Sequence, residues 1–403
     1  MNTRPVQLGS TCFIREAFLW ALIPIVALIL ISPSIGDAQV ETNITQTTGA
    51  GDLGTQVLPP SGNVHGITGG TTLGPNLFHS FGQFNVGAGD IARFQTPNLS
   101  LDDSISNILG RVTGGNPSNI FGTLDSATFY PHANLYLMNP FGTVFGPTGS
   151  LDVGGSVGFT TAQYVRLSDG VTSANFYANP VNDSLANSIL VMDPVANFGF
   201  LSSANPVGYG FLTAPDPTTT IRVQGSAFSV PSGQSISLVG GNVVIEGGSQ
   251  LSVPSGRIHL ATTASPGEFA ALPGESLANA TSLQSIPNNP VNPALPASYT
   301  SYGLLSMASD SSINVSGTHT VVFLKGGQLV LSVNDATLNT SASTASQDTI
   351  LLSSGSSIVT SNSGTDPGAN VQLTVGTVKM AGAVVQTINS GNGDGGKDRK
   401  SVV

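Results

Sequence analysis

Ser229-Val-Pro-Ser-Gly233-Gln-Ser-Ile-Ser-Leu238 is followed, at an offset of 23 residues, by Ser252-Val-Pro-Ser-Gly256-Arg-Ile-His-Leu260. In each copy a Pro-Ser-Gly turn leads into a short run in which apolar and polar residues alternate. Asn242-Val-Val-Ile-Glu246 and Gln250-Leu-Ser-Val253 lie between them, set off by Gly240-Gly241 and Gly247-Gly248. A period of two is the mark of a strand, and Gly and Pro supply the bends. A repeat just above 20 residues that holds several strands is a solenoid. At about 3.3 Å per residue it closes one three-sided coil, and successive coils stack at about 4.8 Å. The chain is therefore read as all-β: a right-handed parallel β-helix (solenoid) with short antiparallel or loop excursions.

The pattern continues in Leu329-Val-Leu-Ser-Val333, Thr349-Ile-Leu-Leu352, Ser357-Ile-Val-Thr360 and Val371-Gln-Leu-Thr-Val375. No stretch after residue 39 sustains the apolar spacing of a helix. Each strand is expected to bury alternate side chains in the coil and to turn Ser, Thr, Asn and Gln outward. That surface accounts for a charged fraction of only 8%. By the same alternation His259, between Ile258 and Leu260, is expected in solvent.

The net charge of −10 excludes nucleic acid as a partner, because phosphate recognition needs clustered Lys and Arg. It also excludes a polybasic membrane anchor. At the N-terminus, Arg4 and Arg15 precede an apolar run over residues 17–31, and Gly36-Asp37-Ala38 offers small residues before Gln39. These are the parts of a secretory signal, with cleavage expected between Ala38 and Gln39. Cleavage removes Cys12, the single cysteine, so the exported product can form no disulfide.

The domain plan that follows has a signal peptide at 1–38 and a secretion domain with the first coils at 39–264. A Pro-rich excursion or linker spans 265–300, and a β-helix repeat segment spans 301–396. Residues 171–215, rich in Asn, Pro and Ser, are expected to loop out of the stack. The tail 397–403 is expected to be artefactual. Asp398-Arg-Lys-Ser-Val-Val403 is what a common sequencing-adapter string encodes, and it interrupts a repeat.

The region upstream of the repeat is distinctive in its turns. It contains Phe78-His-Ser-Phe-Gly-Gln-Phe-Asn-Val86, Thr96-Pro97-Asn98-Leu99, Arg111-Val-Thr-Gly114 and Asn139-Pro140-Phe141-Gly142-Thr143. In the last of these, Pro pre-sets φ, Asn hydrogen-bonds the following backbone and Gly closes the turn. These motifs, in this order and after a signal peptide, resemble the N-terminal two-partner secretion (haemagglutination activity) domain of filamentous haemagglutinin-type adhesins. The family's signature turns are Asn-Pro-Asn-Leu and Asn-Pro-Asn-Gly-Ile, so this chain departs from them at Thr96, Phe141 and Thr143. The resemblance implies recognition by an outer-membrane pore-forming secretion partner. The implied secretion-motif residues are Pro97, Asn98, Leu99, Asn139, Pro140 and Gly142. It also implies a product secreted or displayed at the cell surface, outside the bacterial outer membrane, with carbohydrate or protein of a host or neighbouring cell as its ligand class.

Chemistry is sparse. Gly154-Gly-Ser156-Val-Gly158 has the form of a nucleophile elbow but lacks the helix that motif requires. His65, His79, His132, His259 and His319 are scattered, without metal-ligand spacing. Gly391-Asn-Gly-Asp-Gly-Gly396 is one copy of a calcium-type nonapeptide without neighbours, and Asp102, Asp103 and Asp125 read as solvated. No catalytic residue, metal or cofactor is expected, and the chain is read as a non-enzymatic adhesin-like exoprotein. The alternative is a secreted parallel β-helix polysaccharide lyase or hydrolase, because fold alone does not fix function. A one-chain autotransporter passenger is a third reading.

Overall fold

The computed structural model describes residues 40–169, 173–184, 205–270, 302–308 and 311–316, and between 282 and 401 a further set of backbone strands. The expected signal peptide, with Ala38 and Gln39 at its expected cleavage point, His319 and the 391–396 glycine run lie outside the described residues.

The strands of the coil fall into three walls. The first wall runs through Asn76–Asn85, Asn107–Val112, Asn134–Met138, Val157–Thr160, Ser235–Gly240 and Arg257–Thr262, all parallel. It continues through Val321–Lys325, Asn370–Thr374 and Asp398–Ser401. The second wall holds Ser118–Ile120, Thr143–Phe145, Thr220–Gln224 and Asn242–Glu246, again parallel. The third wall starts as one sheet, through Ile91–Phe94, Thr123–Asp125 and Ser150–Asp152, and continues as another through Ala227–Ser229 and Gln250–Ser252. These ladders make the fold a parallel β-helix.

The internal repeat is the coil itself. Ser229 pairs with Ser252, at the 23-residue offset, while Ile236 pairs with Ile258 and Ile221 with Val243 at offsets of 22. Earlier coils are longer, with Asn76 beside Asn107 and Asn107 beside Asn134. Those three asparagines form a ladder: Asn107 Nδ2 donates to Asn76 Oδ1 at 2.9 Å, and Asn134 Nδ2 donates to Asn107 Oδ1 at 3.0 Å. The Ser156 amide continues it onto Asn134 Oδ1 at 2.8 Å. Stacked amides satisfy one another where water is excluded, which fixes the register of the strands carrying them.

Inside the coil, one ring from each wall meets at the centre. Phe145 of the second wall packs edge-on against Phe159 of the first at 4.7 Å and against Phe228 of the third at 4.8 Å. The start of the stack is covered by antiparallel pairing: Asn43–Gln46 lies on Asn76–Asn85, and Thr55–Val57 on Val64–Gly69. This removes the open parallel edge that would otherwise invite association.

The first wall departs from the expected alternation. Ile108, Leu135, Leu137, Phe159, Ile236, Ile258 and Leu260 face the coil interior, as alternation requires. The intervening residues Leu109, Tyr136, Met138, Val239 and Ala261 are buried as well, in a second core. An antiparallel sheet covers them like a roof. Its strands run in the order Ser173–Tyr177, Tyr164–Ser168, Asn205–Phe211, Gly267–Ala270 and Ser282–Gln284. Val165, Leu167, Phe176, Tyr209, Phe211 and Phe269 supply its underside. A parallel wall buried on both faces carries near-continuous apolar runs instead of alternation.

The roof changes two expectations. His259 does turn away from the coil interior, but it is fully buried beneath the roof, with Nδ1 3.4 Å from Ser237 Oγ. Within residues 171–215, expected to loop out of the stack, Ser173–Tyr177 and Asn205–Phe211 are strands of the roof and not loops.

Candidate functional site

The two signature-like turns occupy different corners of the coil, and the structure does not bring them together. Residues 96–99 follow the third-wall strand Ile91–Phe94 and lead toward the first wall, whereas residues 139–142 join the first wall to the second.

At the first turn, the Leu99 amide donates to the Thr96 carbonyl at 3.2 Å. Thr96 is buried, and its hydroxyl donates to the Ser100 carbonyl at 2.7 Å while accepting the Ser100 amide at 3.0 Å. Asn98 Oδ1 accepts from Ser100 Oγ at 2.8 Å. Thr96 thus closes the turn through its hydroxyl, where the signature has Asn. Pro97, Asn98 and Leu99 are exposed. Leu99 has a φ of 56°, a left-handed conformation that costs a branched side chain about 1–2 kcal/mol. Its side chain is 61% exposed, and that of Leu101 is 65% exposed.

At the second turn Asn139 is fully buried. Its Nδ2 donates to the Asn116 carbonyl and to Ser118 Oγ, both at 3.0 Å, and its Oδ1 accepts the Phe141 amide at 3.0 Å. The Gly142 amide closes the turn on the Asn139 carbonyl at 3.0 Å. Gly142 has a φ of 108°, and a Cβ there would lie 2.8 Å from the Thr220 carbonyl, so only glycine fits without strain. Pro140 is half-buried, and Phe141 is 49% exposed. Beside Phe141 a cleft of about 380 Å³ opens between the turn and the roof, bordered by Val112, Gln163, Ala178 and Leu212 and by no charged residue.

Phe141 and Leu101 are features that reading the sequence does not single out. Phe141 is a mismatch to a motif, and Leu101 lies outside one. The available signal is an apolar residue within a turn otherwise built of polar groups.

The remaining candidates are structural. Ser156 is buried; its hydroxyl donates to Gln234 Oε1 at 2.9 Å and accepts the Ser235 amide at 3.1 Å. Gly158 leaves the space that the Tyr209 hydroxyl of the roof fills. His79 is buried in the coil, 5.4 Å from the Phe94 ring, and burial lowers its imidazole pKa to about 3. Asp125 is also buried, not solvated as expected: it accepts from Arg93 Nε at 2.6 Å and from Thr128 Oγ1 at 2.8 Å. Asp103 is exposed and lies 4.0 Å from His132. Among the described residues no three His, Cys, Asp or Glu side chains gather as a metal site.

Arg111 is fully buried and links three parts of the fold. Its Nε donates to Ser80 Oγ at 2.9 Å, its Nη1 to the Tyr177 carbonyl at 2.7 Å and its Nη2 to the Gly51 carbonyl at 2.8 Å. Its guanidinium stands 5.2 Å from the Phe176 ring centre, where a cation is attracted to the ring face.

The site is thus a capped parallel β-helix that carries Leu99, Leu101 and Phe141 as exposed apolar side chains at its corner turns. Residues 42–292 match the model of the TPS secretion domain, and the chain belongs to that family. It carries the N-terminal secretion domain of an exoprotein exported by two-partner secretion. The solved filamentous hemagglutinin secretion domain is similar at 17% identity, over 89% of this chain and 100% of that one, with a TM-score of 0.37. The HMW1 secretion domain from Haemophilus influenzae is similar at 12% identity, over the same shares, with a TM-score of 0.37. No curated protein matches.

Proposed function

We propose that residues 96–101 and 139–142 are surfaces by which an outer-membrane pore partner recognises this exoprotein. The observation that carries this reading is the exposure of Leu99, Leu101 and Phe141 on turns whose backbones are held by buried Thr96 and Asn139. Exposed apolar side chains on a rigid support lose little conformational entropy when a partner covers them. The chain crosses the outer membrane unfolded and winds coil by coil outside, each coil burying its apolar face on the last. The product is displayed at the cell surface and works by adhesion, without catalysis. Surface carbohydrate or protein of a host or neighbouring cell is its ligand class.

The test is co-expression with the pore partner and measurement of the exported fraction. Leu99→Ser, Leu101→Ser and Phe141→Ser are expected to lower export severalfold while the purified variants keep the parent's stability. Unchanged export in the triple variant would refute the assignment of these turns.

A further inference from the structure

The roof is assembled from two insertions far apart in the chain. Tyr164–Ser168, Ser173–Tyr177 and Asn205–Phe211 come from the first, inserted after the coil strand Val157–Thr160. Gly267–Ala270 and Ser282–Gln284 come from the second, inserted after Arg257–Thr262. Between them the chain winds six strands, from Thr220–Gln224 to Arg257–Thr262, which is two turns of the coil.

The two insertions meet at one buried acid. Glu268 accepts from the Tyr164 hydroxyl at 2.8 Å and from Arg166 Nε and Nη2 at 2.9 and 2.6 Å, reaching across the strand that carries Gly210. Glu268 is 2% exposed and Tyr164 is fully buried. Without the second insertion, Asn205–Phe211 is left as an open sheet edge, and the place of Phe269 beside Phe211, at 6.2 Å, is empty. Tyr164 and Arg166, which alternate with the underside residues Val165 and Leu167 and so lie on the roof's other face, also lose the acceptor that ties their strand to Gly267–Ala270.

We propose that Glu268 is a folding latch. The sheet begun by the first insertion closes over the first wall only when the second insertion brings Glu268 onto Tyr164 and Arg166. The roof therefore forms late, after two further coils have wound, although most of its strands precede those coils in sequence. In a chain folding from its N-terminus, closure reports that the chain is folded as far as residue 270. The inference rests on the roof's connectivity and is independent of which surface the pore reads.

Pulsed hydrogen exchange during refolding of the full chain tests it. Amides of Tyr164–Ser168 and Ser173–Tyr177 are expected to gain protection together with Gly267–Ala270 and after Asn107–Val112. Protection gained together with Asn107–Val112 would overturn the proposal. Native-state exchange of Glu268→Gln, which keeps the shape of the side chain, and of Glu268→Ala gives the second readout. Exchange in Tyr164–Ser168 and Asn205–Phe211 is expected to accelerate roughly tenfold in the first variant and roughly 100-fold in the second. Asn134–Met138 should be unchanged in both. No acceleration, or equal acceleration in the roof and the coil, contradicts a latch.

Discussion

Tyr164 donates its phenolic hydrogen to Glu268 at 2.8 Å across the backbone of Gly210, which lies between them in the roof. A Cβ on Gly210 would overlap the Tyr164 ring. Burial, reinforced by the Glu268 carboxylate, holds the Tyr164 hydroxyl well above its ordinary pKa, so it remains a donor.

Gly210→Ala should therefore destabilise the protein by about 3 kcal/mol through overpacking. In a Tyr164→Ala background the same change should cost much less, because the ring it strikes is gone. Urea unfolding of the two single variants and the double variant measures this coupling. Additive losses would show that the ring is not the obstacle.

His79 should make stability depend on pH. Burial lowers its pKa from 6.5 to about 3, so between those values the unfolded chain holds a proton that the folded chain does not. The contribution is complete above pH 6.5 and is lost as pH falls toward 3, by up to about 1.4 kcal/mol per unit. His79→Leu should flatten the change in urea midpoint between about pH 6 and pH 4 relative to the parent. An equally steep fall in the variant would assign the effect to other groups.

Asn107→Ala should cost about 2 kcal/mol, because it leaves the buried amide of Asn76 and the half-buried amide of Asn134 without the partner they share. Asn98→Ala, on an exposed turn, should cost less than about 1 kcal/mol. Thermal unfolding of the pair checks the contrast.

The second turn should separate stability from recognition. Asn139→Ala removes three hydrogen bonds and should cost about 2 kcal/mol, and Gly142→Ala a similar amount from backbone strain. Phe141→Ser should stay within about 0.5 kcal/mol of the parent. A large loss in the Phe141 variant would mean that its ring packs as core.

Much of the coil was legible because it is local. The repeat from Ser229 to Ser252 is one turn of the stack, and Asn242–Glu246 is a strand with the bounds read from the sequence. The turns at Thr96 and Asn139 were visible for the same reason, since Pro, Asn and Gly act on their nearest neighbours. His259 and Asp125 were not legible, because alternation gives the direction of a side chain and not what lies beyond it.

The sequence by itself determined a stack of short parallel strands, their period and the corners where they turn, since each depends on residues within one coil. Only the tertiary structure decided which outward face is wet. The roof joins Tyr164 to Glu268 through strands about a hundred residues apart, and no periodicity within a window can register burial supplied by so distant a segment.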